Sequence, residues 1–252
     1  LMVDIEIDGA SLTLEQAISI ANGESTAALS KESRDNMLQS RAAVEEIVRS
    51  GDTVYGINTG FGAMSSVRIE EEEIEALQEN LVRSHACGVG ERMEPEHVLL
   101  MMVLRANSIA KGCSGSRPEV VDLILSMVNY RISPEVPRIG SLGASGDLAP
   151  LSHMALSMMG EGKCSINNNG IWETRSSKDA LSEAGLLPIK LQAKEGLSLI
   201  NGTSQMCAFL TIAILNMEML SFAADASMAC SLEAIQGSQR PFDPRIQASR
   251  PQ

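Results

Sequence analysis

The sequence lacks a surplus of positive charge: Lys and Arg number 20 against 32 Asp and Glu, a formal net charge of −12. That balance argues against nucleic acid and an anionic membrane as partners, and it favours solubility. No two cysteines are spaced as Cys-x-x-Cys, and the five present (Cys87, Cys113, Cys164, Cys207 and Cys230) are odd in number. Neither a disulfide framework nor a metal site is expected, and the expected compartment is a reducing, cytoplasmic one. No internal repeat and no low-complexity linker are seen, and with no basic-then-apolar run opening these residues, targeting is not expected. What is present is 252 residues of 44% hydrophobic content, ample for a packed core in one large domain or two small ones. A small-molecule partner fits that composition best.

Residues 2–8 alternate apolar and acidic as a half-buried strand does, and Asp8-Gly9 is a turn signal of the hairpin kind. Thr13 followed by Gln16 reads as a capping box opening a helix that Gly23 stops, and a second helix is expected over 31–50 before Gly51. Gly56, Gly60 and Gly62 fall within seven positions after Tyr55, which predicts a loop chosen for close backbone approach. The acids Glu70 to Glu73, then Ile74, Leu77, Leu81 and Val82 at helical spacing, predict a helix ending near His85. Pro95 and Pro118 open two apolar core helices, running through Lys111 and Tyr130. Pro134 and Pro137 enforce an extended approach to residues 140–147, after which helix returns over 148–159. Residues 160–190 read as a surface hairpin plus a short helix.

From residue 205 to 235 the chain is apolar enough for a membrane span. Asn216, Glu218 and Asp225 would lie inside such a span, and no basic residues flank it to set an orientation. A long helix buried on most sides within a bundle, at a subunit interface, is the expectation. The fold class is therefore mainly α with short strands.

The chemistry concentrates in Ala144-Ser145-Gly146. Three residues with almost no side chain let the backbone fold so tightly that the Gly146 nitrogen can reach the Ala144 carbonyl carbon. Ring closure with loss of two waters would leave a methylidene on a five-membered imidazolone, an electrophile that no ordinary side chain provides. Taken alone, the tripeptide reads as a tight strand-to-helix turn. A hydrolase-type nucleophile elbow is disfavoured, because the position two residues after Ser145 is Asp147 rather than glycine.

The longer run Gly140-Ser141-Leu142-Gly143-Ala144-Ser145-Gly146-Asp147-Leu148-Ala149-Pro150-Leu151-Ser152-His153-Met154 resembles the signature of the aromatic amino-acid ammonia-lyases and aminomutases. Three companion segments occur in the family's order: Tyr55-Gly56-Ile57-Asn58-Thr59-Gly60-Phe61-Gly62, residues 80–90 containing Arg83-Ser84-His85, and residues 194–203 containing Ile200-Asn201-Gly202-Thr203. The resemblance implies an ammonia-lyase-like fold, with an N-terminal domain over 1–200 and the start of a central helical bundle over 201–252. Family members are much longer and continue past this chain.

The resemblance also implies a 4-methylidene-imidazol-5-one (MIO) prosthetic group formed from Ala144, Ser145 and Gly146, with no diffusible cofactor. Tyr55 is then the acid/base partner at the substrate β-carbon, and Asn201 contacts the prosthetic group and the substrate. Gly62, Ser84, His85 and Leu148 bind substrate, although Leu148 serves equally well as core packing. Ser84-His85 resembles the histidine lyases and some tyrosine aminomutases, where phenylalanine enzymes carry apolar residues. The implied reaction is loss of ammonia from an aromatic L-amino acid, histidine to urocanate first. A tyrosine lyase or aminomutase, or a non-catalytic half whose tripeptide never cyclises, stands beside it. Implied partners are a homotetramer with shared active sites or a separate C-terminal half. His97 and His153 are taken as structural.

Overall fold

The computed structural model describes residues 3–60, 69 and 71–250. Strand β1 (Val3–Ile7) leads through α1 (Leu14–Asn22) to β2 (Ser25–Leu29), and α2 spans Lys31–Ser50. Then come α3 (Glu71–His85), β3 (Val89–Arg92), α4 (Pro95–Ala110), α5 (Pro118–Asn129), β4 (Ile132–Pro134) and β5 (Pro137–Ile139). Helix α6 (Leu148–Met158) precedes β6 (Lys163–Asn168), β7 (Ile171–Ser176), α7 (Ser177–Glu183), α8 (Glu195–Ile200), α9 (Ser204–Ala234) and α10 (Pro244–Ala248). The chain divides into two units, Leu1–Phe209 and Leu210–Gln252.

The helix signals in the sequence act as written. Thr13 and Gln16 form the reciprocal capping box of α1, and Gly23 and Gly51 close α1 and α2 in left-handed conformation. The Asp8-Gly9 signal does something other than make a hairpin. The Asp8 carboxylate accepts the Ala10 and Ser11 amides at 2.8 Å, and β1 pairs in parallel with β2 with α1 as the crossover. An Asx turn and a hairpin turn draw on the same residues, and here the apolar face of α1 decides between them. Strand β3 pairs antiparallel with β5, and β4, β6 and β7 form a three-stranded antiparallel sheet.

The axis of the first unit is α4. Six consecutive residues, Val98 to Val103, are at most 1% exposed, so this helix is buried on every side. Helices α1, α2, α5 and α8 and strand β4 all contact it. Arg105, 5% exposed, brings a charge into that apolar surround.

Helix α9 departs from the expectation of burial. Met217, Met219, Leu220 and Phe222 are 68–76% exposed, because among the described residues little packs over this part of a helix that is apolar on all faces. By length and composition alone, the stretch Glu195–Ala234 would suffice to cross a membrane.

Helix α8 is short, and its N-terminal end is held by a buried ion pair. Glu195, 0% exposed, accepts from the Arg117 amide and Nε at 3.1 and 2.8 Å through one oxygen, and from Arg117 Nη2 and the Gln192 amide at 2.8 Å through the other. A carboxylate so enclosed is tolerable only because every acceptor site is used. Glu195→Gln keeps the shape but removes the charge opposite Arg117, and the expected loss of stability is about 3–5 kcal/mol by denaturant titration. A change within error would show that the pair does not hold α8.

Candidate active site

The four motif segments meet along α8. The Tyr55 loop is built by two buried side chains, Asn58 and Thr59, 2% and 1% exposed. Asn58 accepts the Val54 amide at 2.9 Å and donates to the Asp52 carbonyl at 2.7 Å, while Thr59 Oγ1 accepts the Gly56 amide at 3.3 Å. The loop backbone lies directly on α8, since a Cβ on Gly56 would sit 3.0 Å from Leu197. Tyr55 itself remains 57% exposed. Gly62 lies outside the described residues.

At the other end of α8, Asn201 is the C-cap and Gly202 turns the chain into α9. The Ala144-Ser145-Gly146 bend is fastened to that turn. The Asp147 amide donates to the Gly202 carbonyl at 2.6 Å, and a Cβ on Gly146 would lie 2.6 Å from the same oxygen. Gly146 has φ +146°, a conformation that residues with a side chain rarely adopt. Gly146 is buried, and Ala144 and Ser145 are exposed.

The Asp147 side chain, 0% exposed, accepts the Gln205 and Met206 amides at 2.8 and 3.0 Å and the Ser141 hydroxyl at 2.6 Å. Although it precedes α6, it caps α9, filling two of the amide sites a helix start leaves open and facing the positive end of that helix dipole.

Below Asn201, Arg105 reaches up from α4. Its Nη2 donates to the Ser198 carbonyl and, at 3.1 Å, to the Asn201 carbonyl, satisfying acceptors that the end of α8 leaves free. Burial pushes its pKa down to about 10.

The third segment ends α3. His85 Nδ1 lies 2.8 Å from the Leu81 carbonyl, and Ser84 Oγ donates to the same oxygen at 2.9 Å. A carbonyl only accepts, so in neutral His85 the proton sits on Nδ1 and Nε2 keeps its lone pair. Just beyond, Gly88 approaches the start of the Ala-Ser-Gly loop, for a Cβ on Gly140 would be 3.2 Å from Gly88 Cα. His153 of α6 accepts the Gly88 amide through Nε2 at 3.1 Å, and burial pushes its pKa down. His97 packs edge-on to Phe209 with centroids 6.2 Å apart. Leu148, half-buried, is the first residue of α6.

The structure thus fastens Gly146 and Asp147 to Gly202, the residue after Asn201, lays the Tyr55 loop on α8, and sets the His85 segment beside the start of the Ala-Ser-Gly loop. Asp147, Arg105, Asn58 and Thr59 were not singled out from sequence as positioning residues. A signal existed for Arg105, a lone charge amid the apolar residues of α4. None existed for Asp147, which reads as the cap of its own helix.

Residues 12–252 match the family model described as aromatic amino acid lyase. The chain is 46% identical to histidine ammonia-lyase of Anaeromyxobacter sp. (strain K), over 100% of this chain and 50% of that protein. It resembles the crystal structure of histidine ammonia-lyase from Trypanosoma cruzi at TM-score 0.90 and 38% identity, covering 99% of this chain and 47% of that one. It resembles tyrosine aminomutase from Streptomyces globisporus at TM-score 0.91 and 34% identity, covering 99% and 46%. The chain spans about half the length of the curated relatives it matches.

Two outcomes test this geometry. Gly146→Ala forces a side chain into the Gly202 backbone at an unfavourable φ, and a stability loss of at least about 2 kcal/mol is expected; an unchanged melting temperature would contradict the close approach. For His153, burial favours the neutral form, so the unfolded chain binds the proton more readily than the folded one. That contribution is present above the ordinary value of 6.5 and is lost as pH falls through 6.5 toward the lowered folded value. His153→Gln, whose carbonyl also accepts from Gly88, is expected to flatten the dependence of stability on pH between about 7.5 and 5.5. An identical slope in both proteins would assign that dependence elsewhere.

Proposed function

Because this chain belongs to the aromatic amino acid lyase family, we propose that it is the N-terminal half of a histidine ammonia-lyase, an enzyme that eliminates ammonia from L-histidine to give urocanate. The observation that carries this reading is the junction at Asp147 and Gly202, which fastens the end of the Ala-Ser-Gly bend to the residue after Asn201. The tripeptide fits an MIO group: Gly146 adopts a side-chain-free conformation against the Gly202 backbone, and Ala144 and Ser145 are open to an incoming molecule. That group supplies an electrophile for an amine, without a metal or diffusible cofactor.

The chain's own residues supply the rest. The Asn201 amide donates and accepts at once, which suits the charged end of an amino acid. Tyr55 takes the β-proton, and its loop is held for that purpose by Asn58 and Thr59. His85 offers the Nε2 lone pair to a hydrogen-bond donor on the substrate ring, with Ser84, Gly62 and Leu148 completing the wall. An imidazole N–H meets that acceptor and a phenyl ring does not, which makes phenylalanine the poorest substrate of the three. A tyrosine hydroxyl would meet it too, and the likeness to a tyrosine aminomutase keeps that as the second reading.

The exposed apolar faces of α9 support assembly into a homotetramer or with a C-terminal half that covers them. The acidic balance and the acidic residues within α9 favour a soluble cytoplasmic enzyme over a membrane-spanning one.

With the C-terminal half supplied, Ser145→Ala is expected to abolish formation of the ultraviolet-absorbing arylacrylate while leaving the fold stable, since alanine fits the same turn. Near-normal turnover in that variant would end the prosthetic-group assignment. His85→Phe is expected to lower kcat/KM for histidine by about one to two decades with a relative gain for phenylalanine. An equal loss for histidine, tyrosine and phenylalanine would remove His85 from substrate selection.

A further inference from the structure

If His85 reads one end of a substrate whose other end meets the Ala-Ser-Gly bend, the end of α3 must stand at a fixed distance from that bend. The His85 ring is tied to its own helix by the Leu81 carbonyl, so its place is set by whatever holds the end of α3. Beyond His85 the Ala86 and Cys87 amides turn back to the Val82 and His85 carbonyls at 3.1 and 2.8 Å. The next amide, that of Gly88, goes instead to a side chain, His153 Nε2 at 3.1 Å.

Gly88 is also where three pieces of chain meet. A Cβ on it would stand 3.1 Å from His153 Nε2 and 3.2 Å from Pro137 Cβ and Cγ, while one on Gly140 would stand 3.2 Å from Gly88 Cα and 3.1 Å from Ala149 Cβ. Pro137 and Gly140 lead into the Ala-Ser-Gly bend, and Ala149 and His153 belong to α6, which leads out of it. Helix α6 is fixed in the core through Leu151, Met154, Ala155 and Met158, each 0% exposed.

A second contact joins the two helices, because Arg83 pairs with Glu161, just past α6, at 2.6 Å. Those side chains are 42% and 40% exposed, and an ion pair so open to solvent holds little. The His153 contact is part-buried, and burial keeps the ring in the neutral form that can accept a hydrogen bond.

We propose that His153 is a positioning residue for substrate selection: through Gly88 it sets the spacing between His85 and the Ala-Ser-Gly bend, and with it the aromatic ring the site prefers. The inference rests on the lyase reading, in which His85 faces that ring. A hydrogen bond from His85 to a ring N–H weakens steeply with distance and angle, whereas apolar contact with a phenyl ring is non-directional. Loosening Gly88 therefore costs histidine more than phenylalanine.

Two variants separate the hydrogen bond from the bulk of the side chain. His153→Gln keeps an acceptor for Gly88, and His153→Leu fills similar space without one. With the C-terminal half supplied, deuterium exchange at the Gly88 amide is expected to be about tenfold faster in His153→Leu than in the parent, and slow in His153→Gln. His153→Leu is expected to lower kcat/KM for histidine relative to phenylalanine by about three- to tenfold, and His153→Gln to restore most of the ratio. In a His85→Phe background His153→Leu should leave the ratio unchanged, since the effect runs through His85. Equal Gly88 exchange in all three proteins, equal loss for both substrates in His153→Leu, a His153→Gln ratio no better than that of His153→Leu, or a shift that persists in the His85→Phe background would overturn the proposal. A parent that turns over neither amino acid ends the lyase reading and this proposal with it, whereas an active parent whose ratio His153→Leu does not change ends the proposal alone.

Discussion

The candidate site depends on one buried carboxylate. Asp147 takes two amides from the first turn of α9 and a hydroxyl from Ser141, while its own amide reaches across to the Gly202 carbonyl. Three short hydrogen bonds to a charged acceptor, plus the positive end of a 31-residue helix, offset the cost of removing the carboxylate from water. The same contacts fix where the Ala-Ser-Gly bend can lie. With Gly146 pressed on Gly202, the exposed pair Ala144-Ser145 is tethered at its C-terminal side to the turn that follows Asn201.

Helix α8 shows the same principle on a smaller scale. Six residues make a marginal helix, yet this one carries the Tyr55 loop on its side and Asn201 at its end. It is held by charge at both termini: Glu195 with Arg117 at the N-terminal end, and the Arg105 guanidinium on the carbonyls of Ser198 and Asn201 at the other. An acid at the start and a base at the finish is the arrangement the helix dipole favours. The asymmetry lies in pairing, because Glu195 has its counter-ion and Arg105 does not.

Much of the fold was legible in the sequence because its signals are local. Thr13 with Gln16, Gly23, Gly51, Pro95 and Pro118 each act within one helical turn, and the helices begin and end where these residues put them. The positions that needed tertiary structure are those whose partners are distant. Asp147 looks like the cap of α6 and serves α9, 58 residues away. Arg105 stands out as a charge in an apolar helix, but its partners lie 93 and 96 residues on. Asp8-Gly9 failed as a hairpin signal because an Asx turn uses the same residues. The apolar character of α9 was read correctly and its burial was not, since among the described residues little packs over Met217 to Phe222.

The central claim is that this chain carries a tripeptide poised to become a prosthetic group, and the mass of one peptide tests it. Trypsin should release residues 139–163 as a single fragment, bounded by Arg138 and Lys163 and free of internal Lys or Arg. The account expects this fragment to be lighter than its sequence by two waters, with the loss mapped to Ala144-Ser145-Gly146 and absent from the Ser145→Ala protein. A fragment at its full sequence mass, from chain purified in the folded state, would contradict the account and leave the tripeptide as a tight turn ahead of α6.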